Sequence, residues 1–355
     1  MNYPFNVAGG QASFFSNFRF RFSDQELVFM RHAPRRFVQM GNSNWFVNHG
    51  FEAPEALMGP KNWTLEIRPN REVNEYDFME PVRLELKLTN ASGEPRSIEP
   101  DLLTDGKHIA VFVGREGGNT KPWNPFVTKC HETHYETLAP GASIYGAHLI
   151  GASTSGWLID EPGFYKVQAA VDLGGEIVVS NVLRLFVAPP VSNEESKLAP
   201  DYFSEEVGRV IAFEGAPELA AATDTLREVA ERCPENPAAK HASVTVSMPL
   251  LRDYKRLEAG ADRSELAIKG TSADVEAAAK VQMEALVKAP DAAAETIGHI
   301  DYFADLERLA SALEGAGDEK GAIKVLKSSI ATMQRRGVIE WVVKEAESKL
   351  AGIKA

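Results

Sequence analysis

PGFYKVQAAVDLGGEIVVSNVLRLFV, residues Pro162 to Val187, is the stretch whose reading decides the fold. Gly174-Gly175 separates two runs rich in Val, Leu, Phe and Tyr. The pattern reads as a strand, a Gly-Gly hairpin turn and a final long strand. Upstream, WTLEIRP (Trp63–Pro69) alternates strictly. PVRLELKLTN (Pro81–Asn90) sets Val82, Leu84, Leu86 and Leu88 on one face and Arg83, Glu85, Lys87 and Thr89 on the other. Such a two-residue period predicts half-buried strands, with the polar row turned outward. ASGEP and LAPGAS supply turn chemistry, and HIAVFVG (His108–Gly114) is a mostly apolar run. Strands recurring at about ten-residue intervals predict an antiparallel sandwich.

Downstream of Val187 the composition changes. VAPPVSNEES (Val187–Ser196) reads as a hinge: Pro189 and Pro190 cannot continue a strand ladder, and Ser192 or Asn193 can cap a helix. Beyond it Ala, Leu, Glu and Lys dominate, with helical periodicity broken by Gly and Pro. The predicted organisation is an aromatic-rich β segment over 1–60, a β-sandwich over 61–190 and an α-helical hairpin domain over 191–355. Within the first segment FRFRF (Phe18–Phe22) reads as a half-buried strand, and GNSNWFVNHGF as a loop anchored by Trp45 and Phe46.

The middle region resembles the immunoglobulin-like sandwich domains of bacterial multidomain proteins, on the residues LKLTNASGEP, LAPGAS, PGFYKVQAAV and SNVLRLFV. LKLTN and PGFYKV are also similar to the bacterial intracellular proteinase inhibitors, though no inhibitory loop is recognisable. In LASALEGAGDEKGAIKVL, Leu309, Ala310, Leu313, Gly317, Ala322 and Leu326 resemble the tetratricopeptide repeat. Ala222, Leu226 and Pro234 match the end of another such repeat. Ser329, Gln334 and Leu306 depart from the pattern, and Ser243–Gly270 does not fit it. IEWVVKEAESKLAGI reads as an amphipathic helix covering the last hairpin. The resemblances imply a multidomain β + α chain: an antiparallel immunoglobulin-like β-sandwich, then a tetratricopeptide-like helical domain.

The chain has 355 residues and a net charge of −12, with −4 in residues 1–190 and −8 in 191–355. That balance opposes nucleic acid as the main partner, since such binding draws on Lys and Arg neutralising phosphates. No apolar run is long enough to span a bilayer, so no membrane insertion is expected. The N-terminus lacks the pattern of a signal peptide, and two cysteines fit a reducing compartment. A cytoplasmic protein is expected; the alternative is an exported one whose signal peptide is absent from this sequence.

Candidate chemistry concentrates in KCHETHYETLAPG (Lys129–Gly141). Cys130, His131, Glu132 and His134 are the candidate metal ligands. On a strand, however, Cys130, Glu132 and His134 share one face and His131 takes the other, and no second cluster completes a zinc shell. The stretch therefore reads as a strand entering a Pro-Gly turn. VGREGGNTK and GASTSG read as turns, not phosphate loops, and His299, Asp301 and Asp305 as a solvated helix face. No cofactor and no catalytic residue is assigned. The leading expectation is a non-enzymatic interaction or scaffold protein whose partners are other proteins. The alternatives are a glycan- or peptide-binding sandwich using Trp45, Trp123 and Trp157 as stacking surfaces, or a metal-dependent enzyme using the Cys130–His134 region. The sequence leaves the oligomeric state open.

Overall fold

The computed structural model of the chain describes residues 62–104, 106, 108–126, 134–173, 176–259 and 266–354. The Phe18–Phe22 strand and the Trp45 loop expected near the N-terminus lie outside the described residues. The protein combines mostly antiparallel β-sheets with helices. In chain order the strands are β1 (Trp63–Pro69), β2 (Glu75–Tyr76), β3 (Arg83–Asn90), β4 (Arg96–Ile98), β5 (Ile109–Arg115), β6 (Thr120–Pro122), β7 (Glu136–Leu138), β8 (Ser143–Leu149), β9 (Ala152–Ser153), β10 (Gly156–Trp157), β11 (Gly163–Asp172), β12 (Ile177–Val179), β13 (Leu183–Val187), β14 (Tyr254–Ala259) and β15 (Leu266–Thr271). The helices are α1 (Asn193–Tyr202), α2 (Glu205–Ala212), α3 (Ala220–Arg232), α4 (Pro237–Ser247), α5 (Val275–Gln282), α6 (Pro290–Ile297), α7 (His299–Gly315), α8 (Glu319–Arg335) and α9 (Glu340–Lys354).

Two compact units result. Among the described residues, the first holds 62–69, 73–78 and 82–189. The second holds Asn70–Glu72, Met79–Pro81 and everything from Pro190 onward.

In the first unit alternation becomes burial. Trp63, Leu65 and Ile67 of β1 and Leu84, Leu86 and Leu88 of β3 are all buried, with the intervening β1 residues exposed. The three-stranded sheet runs β1-β3-β8 and the larger one β2-β13-β11-β5-β6, with β12 also on β11. Side chains of both sheets meet in one core that includes Leu86, Val111, Val167 and Leu185. The polar row of β3 is not uniformly outward, however. Glu85 is buried because β3 is the central strand, and Arg68, directly opposite on β1, pairs with it at 2.6 Å.

The expected final long strand is in fact two. Val167 pairs with Leu183, but Ala170 pairs with Val179, so two residues of β11 face three of the partner. The extra residue is a bulge. Ser180 Oγ there accepts from the Ala169 amide at 2.9 Å. Asn181 turns out of the ladder and clasps the Ile67 peptide of β1, accepting from its N–H at 2.8 Å and donating to its carbonyl at 3.0 Å. The bulge thus tethers one sheet to the other. Tyr165, near the start of β11, sends its hydroxyl back to the Glu161 carbonyl at 2.7 Å.

The second unit is mainly helical. Ser192 caps α1, its Oγ accepting from the Glu195 amide, while the Glu195 carboxylate reaches back to the Val191 amide. Helices α7 and α8 form a hairpin around a turn at Gly317, which takes φ +83°. Leu306, Leu309, Ala310 and Leu313 from α7 meet Ala322, Val325 and Leu326 from α8 in one cluster. Val342, Ala346 and Leu350 of α9 pack against it. The stretch that fits no repeat, Ser243–Gly270, completes α4, makes a 3-10 turn at Met248–Leu251 and enters β14, which pairs with β15.

Candidate functional site

The second unit carries an open cleft of about 920 Å³. Its walls are the turn after α2, the 3-10 turn leading into β14, and one face of α7. Phe213, Pro217, Met248, Pro249 and Leu251 supply apolar surface, while Arg252, Tyr254, Lys255, Glu307, Arg308 and Ser311 supply polar groups.

Local backbone chemistry shapes the first wall. Helix α2 ends with the Gly215 amide bonded to the Val210 carbonyl and the Glu214 amide to the Ile211 carbonyl. This is a Schellman closure. The left-handed position falls on Glu214, at φ +55°, where glycine is the usual residue. Gly215 follows at φ +107°, and a Cβ there would overlap the Pro249 ring and lie 2.9 Å from the Thr245 carbonyl oxygen. The turn therefore seats tightly on the 3-10 segment. It also presents the Glu214 carboxylate to Arg308, whose Nη1 lies 2.7 Å from Oε2.

Arg308 also meets Asp305 at 3.3 Å. Burial opposes the guanidinium charge, but Glu214, Asp305 and Asp301 outweigh it and raise its pKa above the ordinary arginine value. Glu307 is held by Lys349 at 2.8 Å, which also donates to Ser311 Oγ. The remaining charged groups differ. Arg252, Lys255 and Glu218 line the cleft without an ion pair to any described side chain. Two open cations thus face one open carboxylate, in a protein of net charge −12.

Cys130, His131 and Glu132 lie outside the described residues. His134 is exposed, its Nε2 3.8 Å from the Glu136 carboxylate. The strand expected through that stretch is, among the described residues, only Glu136–Leu138, paired with β4; the Pro140-Gly141 turn follows with Gly141 at φ +76°. Among the described residues no three Asp, Glu, His or Cys side chains gather as a metal site. His148 and His241 each turn a ring nitrogen to a backbone carbonyl, Leu103 at 2.8 Å and Thr296 at 3.2 Å. Cys233 is buried, and burial together with Glu195 and Glu194 pushes its thiol pKa up, away from nucleophilic use.

Trp123 and Trp157 belong to the core, 3% and 6% exposed, and the Trp123 indole donates to the Ala152 carbonyl at 3.1 Å. Neither offers a stacking face. Trp45 lies outside the described residues. The solvated acidic face expected on α7 is corrected at Asp305, which is buried against Arg308 because it belongs to the charge cluster behind the cleft wall. Sequence reading missed this cleft, since its residues come from segments some ninety positions apart. The Glu214-Gly215-Ala-Pro turn was the one local signal.

No family model matches the chain, and none of the curated proteins matches it. Solved structures with a partial likeness include an alkylpurine DNA glycosylase, AlkC, from Pseudomonas fluorescens, a β-glucosidase from Listeria innocua, and the sporulation control protein Spo0M from Bacillus subtilis. Each is 14% identical. TM-scores are 0.22, 0.22 and 0.23, with 36%, 38% and 43% of this chain covered. The matches span 31%, 18% and 55% of those proteins. Likeness at this level defines no family and carries no argument about function. No helix among the described residues is long and apolar enough to cross a membrane.

Proposed function

We propose that the chain is a non-enzymatic interaction or scaffold protein, and that the cleft of the second unit receives an acidic segment of another protein. The observation that carries this reading is the uneven pairing of the cleft's charges. Arg308 and Glu307 are already neutralised within the fold, while Arg252 and Lys255 remain open. Exposed cations beside apolar surface suit a carboxylate-bearing partner, which they would steer and orient.

In this reading the first unit is an immunoglobulin-like sandwich and the second a tetratricopeptide-like array. The Tyr165 hydroxyl reaching four residues back, to Glu161, supports the former; such a tyrosine corner accompanies the corresponding strand of those sandwiches. Small Ala310 and Ala322 buried between α7 and α8 support the latter. Both architectures commonly serve as binding scaffolds.

The test is a pull-down from the native host with the full chain and with the Arg252→Glu/Lys255→Glu variant. A partner retained by the wild type, lost by the variant and released by moderate salt is expected. Absence of any retained protein, or equal retention by the variant, overturns the reading.

A further inference from the structure

The two central strands of the larger sheet turn one row of side chains inward and the other outward. Ile109, Val111 and Val113 of β5 and Tyr165, Val167, Ala169 and Val171 of β11 enter the core shared with the β1-β3-β8 sheet. Ala110 and Phe112, with Gln168, Ala170 and Asp172, therefore stand on the outer face. The register sets Phe112 directly opposite Gln168, and Ala110 opposite Ala170. The outer face of an antiparallel sheet is commonly polar and solvated. Here its centre is largely apolar and closed off: Phe112 is 1% exposed, and Ala110, Gln168, Ala170 and Asp172 are buried as well. The described elements packed against β5 and β11 are β1, from the inner side, and β6, β12 and β13, in the same sheet. These lie beneath or beside the outer row, not over it.

Gln168 marks the same spot. Its Nε2 donates to the Ser180 carbonyl at 3.1 Å, but its Oε1 is buried with no donor among the described residues. A buried acceptor calls for a donor from the layer above. The cover is local. At the other end of the face Phe164 is half exposed, with Phe186 against it at 4.8 Å and Arg184 over its ring.

We propose that this outer face seats the chain's own residues 1–61. Three observations select that occupant. The segment holds ten of the eighteen phenylalanines, apolar surface suited to Phe112 and the two alanines. It carries six Lys and Arg against four Asp and Glu, a net of +2, whereas residues 62–190 carry eleven against seventeen, a net of −6. It is also joined covalently to the strand that begins at Trp63, so docking is intramolecular and proceeds at high effective concentration. Its backbone N–H groups would supply the donor that Gln168 Oε1 requires.

Photo-crosslinking in the full chain is the first test. Phe112→p-benzoylphenylalanine sets a photoreactive ring on the covered spot. Mass-spectrometric mapping of the irradiated monomer is expected to find adducts to residues 1–61. Phe164→p-benzoylphenylalanine, at the open end of the face, controls for random collision. Adducts confined to residues 62–355, adducts to a second copy in a cross-linked dimer, or equal yield from both positions overturn the proposal. The second test leaves the sheet unsubstituted. A protease site inserted between Lys61 and Asn62 is cleaved in the folded protein, and the released segment is expected to co-elute with the remainder on gel filtration at micromolar concentration. Phe112→Ala in the same protein is expected to weaken that retention at least about tenfold, with circular dichroism showing that the strands persist. A segment that elutes alone after cleavage of the unsubstituted protein overturns the proposal, as does retention indifferent to Phe112→Ala.

Discussion

The pairs β1–β3 and β14–β15 use the same two-residue alternation to opposite ends. In β1–β3, Leu65, Ile67, Leu84, Leu86 and Leu88 are all buried, and β8 covers the far edge of β3. In β14–β15 the comparable face presents Ile268 at 69% exposure and neither edge has a strand beside it among the described residues. Alternation therefore states which residues share a face, not whether anything covers it. Covering comes from the rest of the unit: the first pair lies against a second sheet whose own apolar face it completes. The difference divides a packed face from an open one, and substitutions can break it.

The largest effect is expected in the covered pair. Leu86→Ala removes a side chain 1% exposed, at the centre of β3, and is expected to cost about 2–5 kcal/mol. Trp63, Trp123 and Trp157 are buried in the same unit, so urea unfolding followed by tryptophan fluorescence, in a Trp341→Phe background that removes the second unit's tryptophan, reports on it. A loss below about 1 kcal/mol would mean the site collapses easily, and the contrast with the hairpin would weaken.

The next effect tests the turn that shapes the cleft. Gly215→Ala places a Cβ against Pro249 and the Thr245 carbonyl at a left-handed φ, and is expected to cost about 1–3 kcal/mol. Circular dichroism of the helices on thermal unfolding reports it. The same variant should weaken cleft binding, because Pro249 and the Glu214–Arg308 pair both hang on that turn. Unchanged stability would show that the turn is not seated as described.

What the sequence revealed follows the same division. WTLEIRP and PVRLELKLTN were legible because local alternation and core burial agree there. The α7–α8 hairpin was legible because small residues at Ala310 and Ala322 mark close helix approach. The β11–β12–β13 stretch was half legible: its residue types announce strands, but the bulge at Ser180–Val182 depends on Asn181 finding a peptide of β1 more than a hundred residues away. YKRLEA and LAIKGT form strands that sit between helical segments, where the surrounding helical periodicity hid them. The buried role of Glu85 and Asp305 was invisible for a related reason. A carboxylate in a polar row looks solvated until the arginine that covers it is located, Arg68 on the next strand or Arg308 one helical turn on.

Ile268→Ser carries the smallest expected effect on folding and the sharpest test of the contrast. A β-branched residue at a strand position usually costs stability when truncated to a polar one, because it packs on a pleated surface. Here the side chain is largely in solvent, so urea unfolding at sub-micromolar protein is expected to shift by no more than about 0.5 kcal/mol. A shift that small confirms that this face of the hairpin is not packed within the single chain. A loss of about 2 kcal/mol or more in the monomer would place Ile268 in a packed core, as Leu86 is, and the two strand pairs would cease to differ.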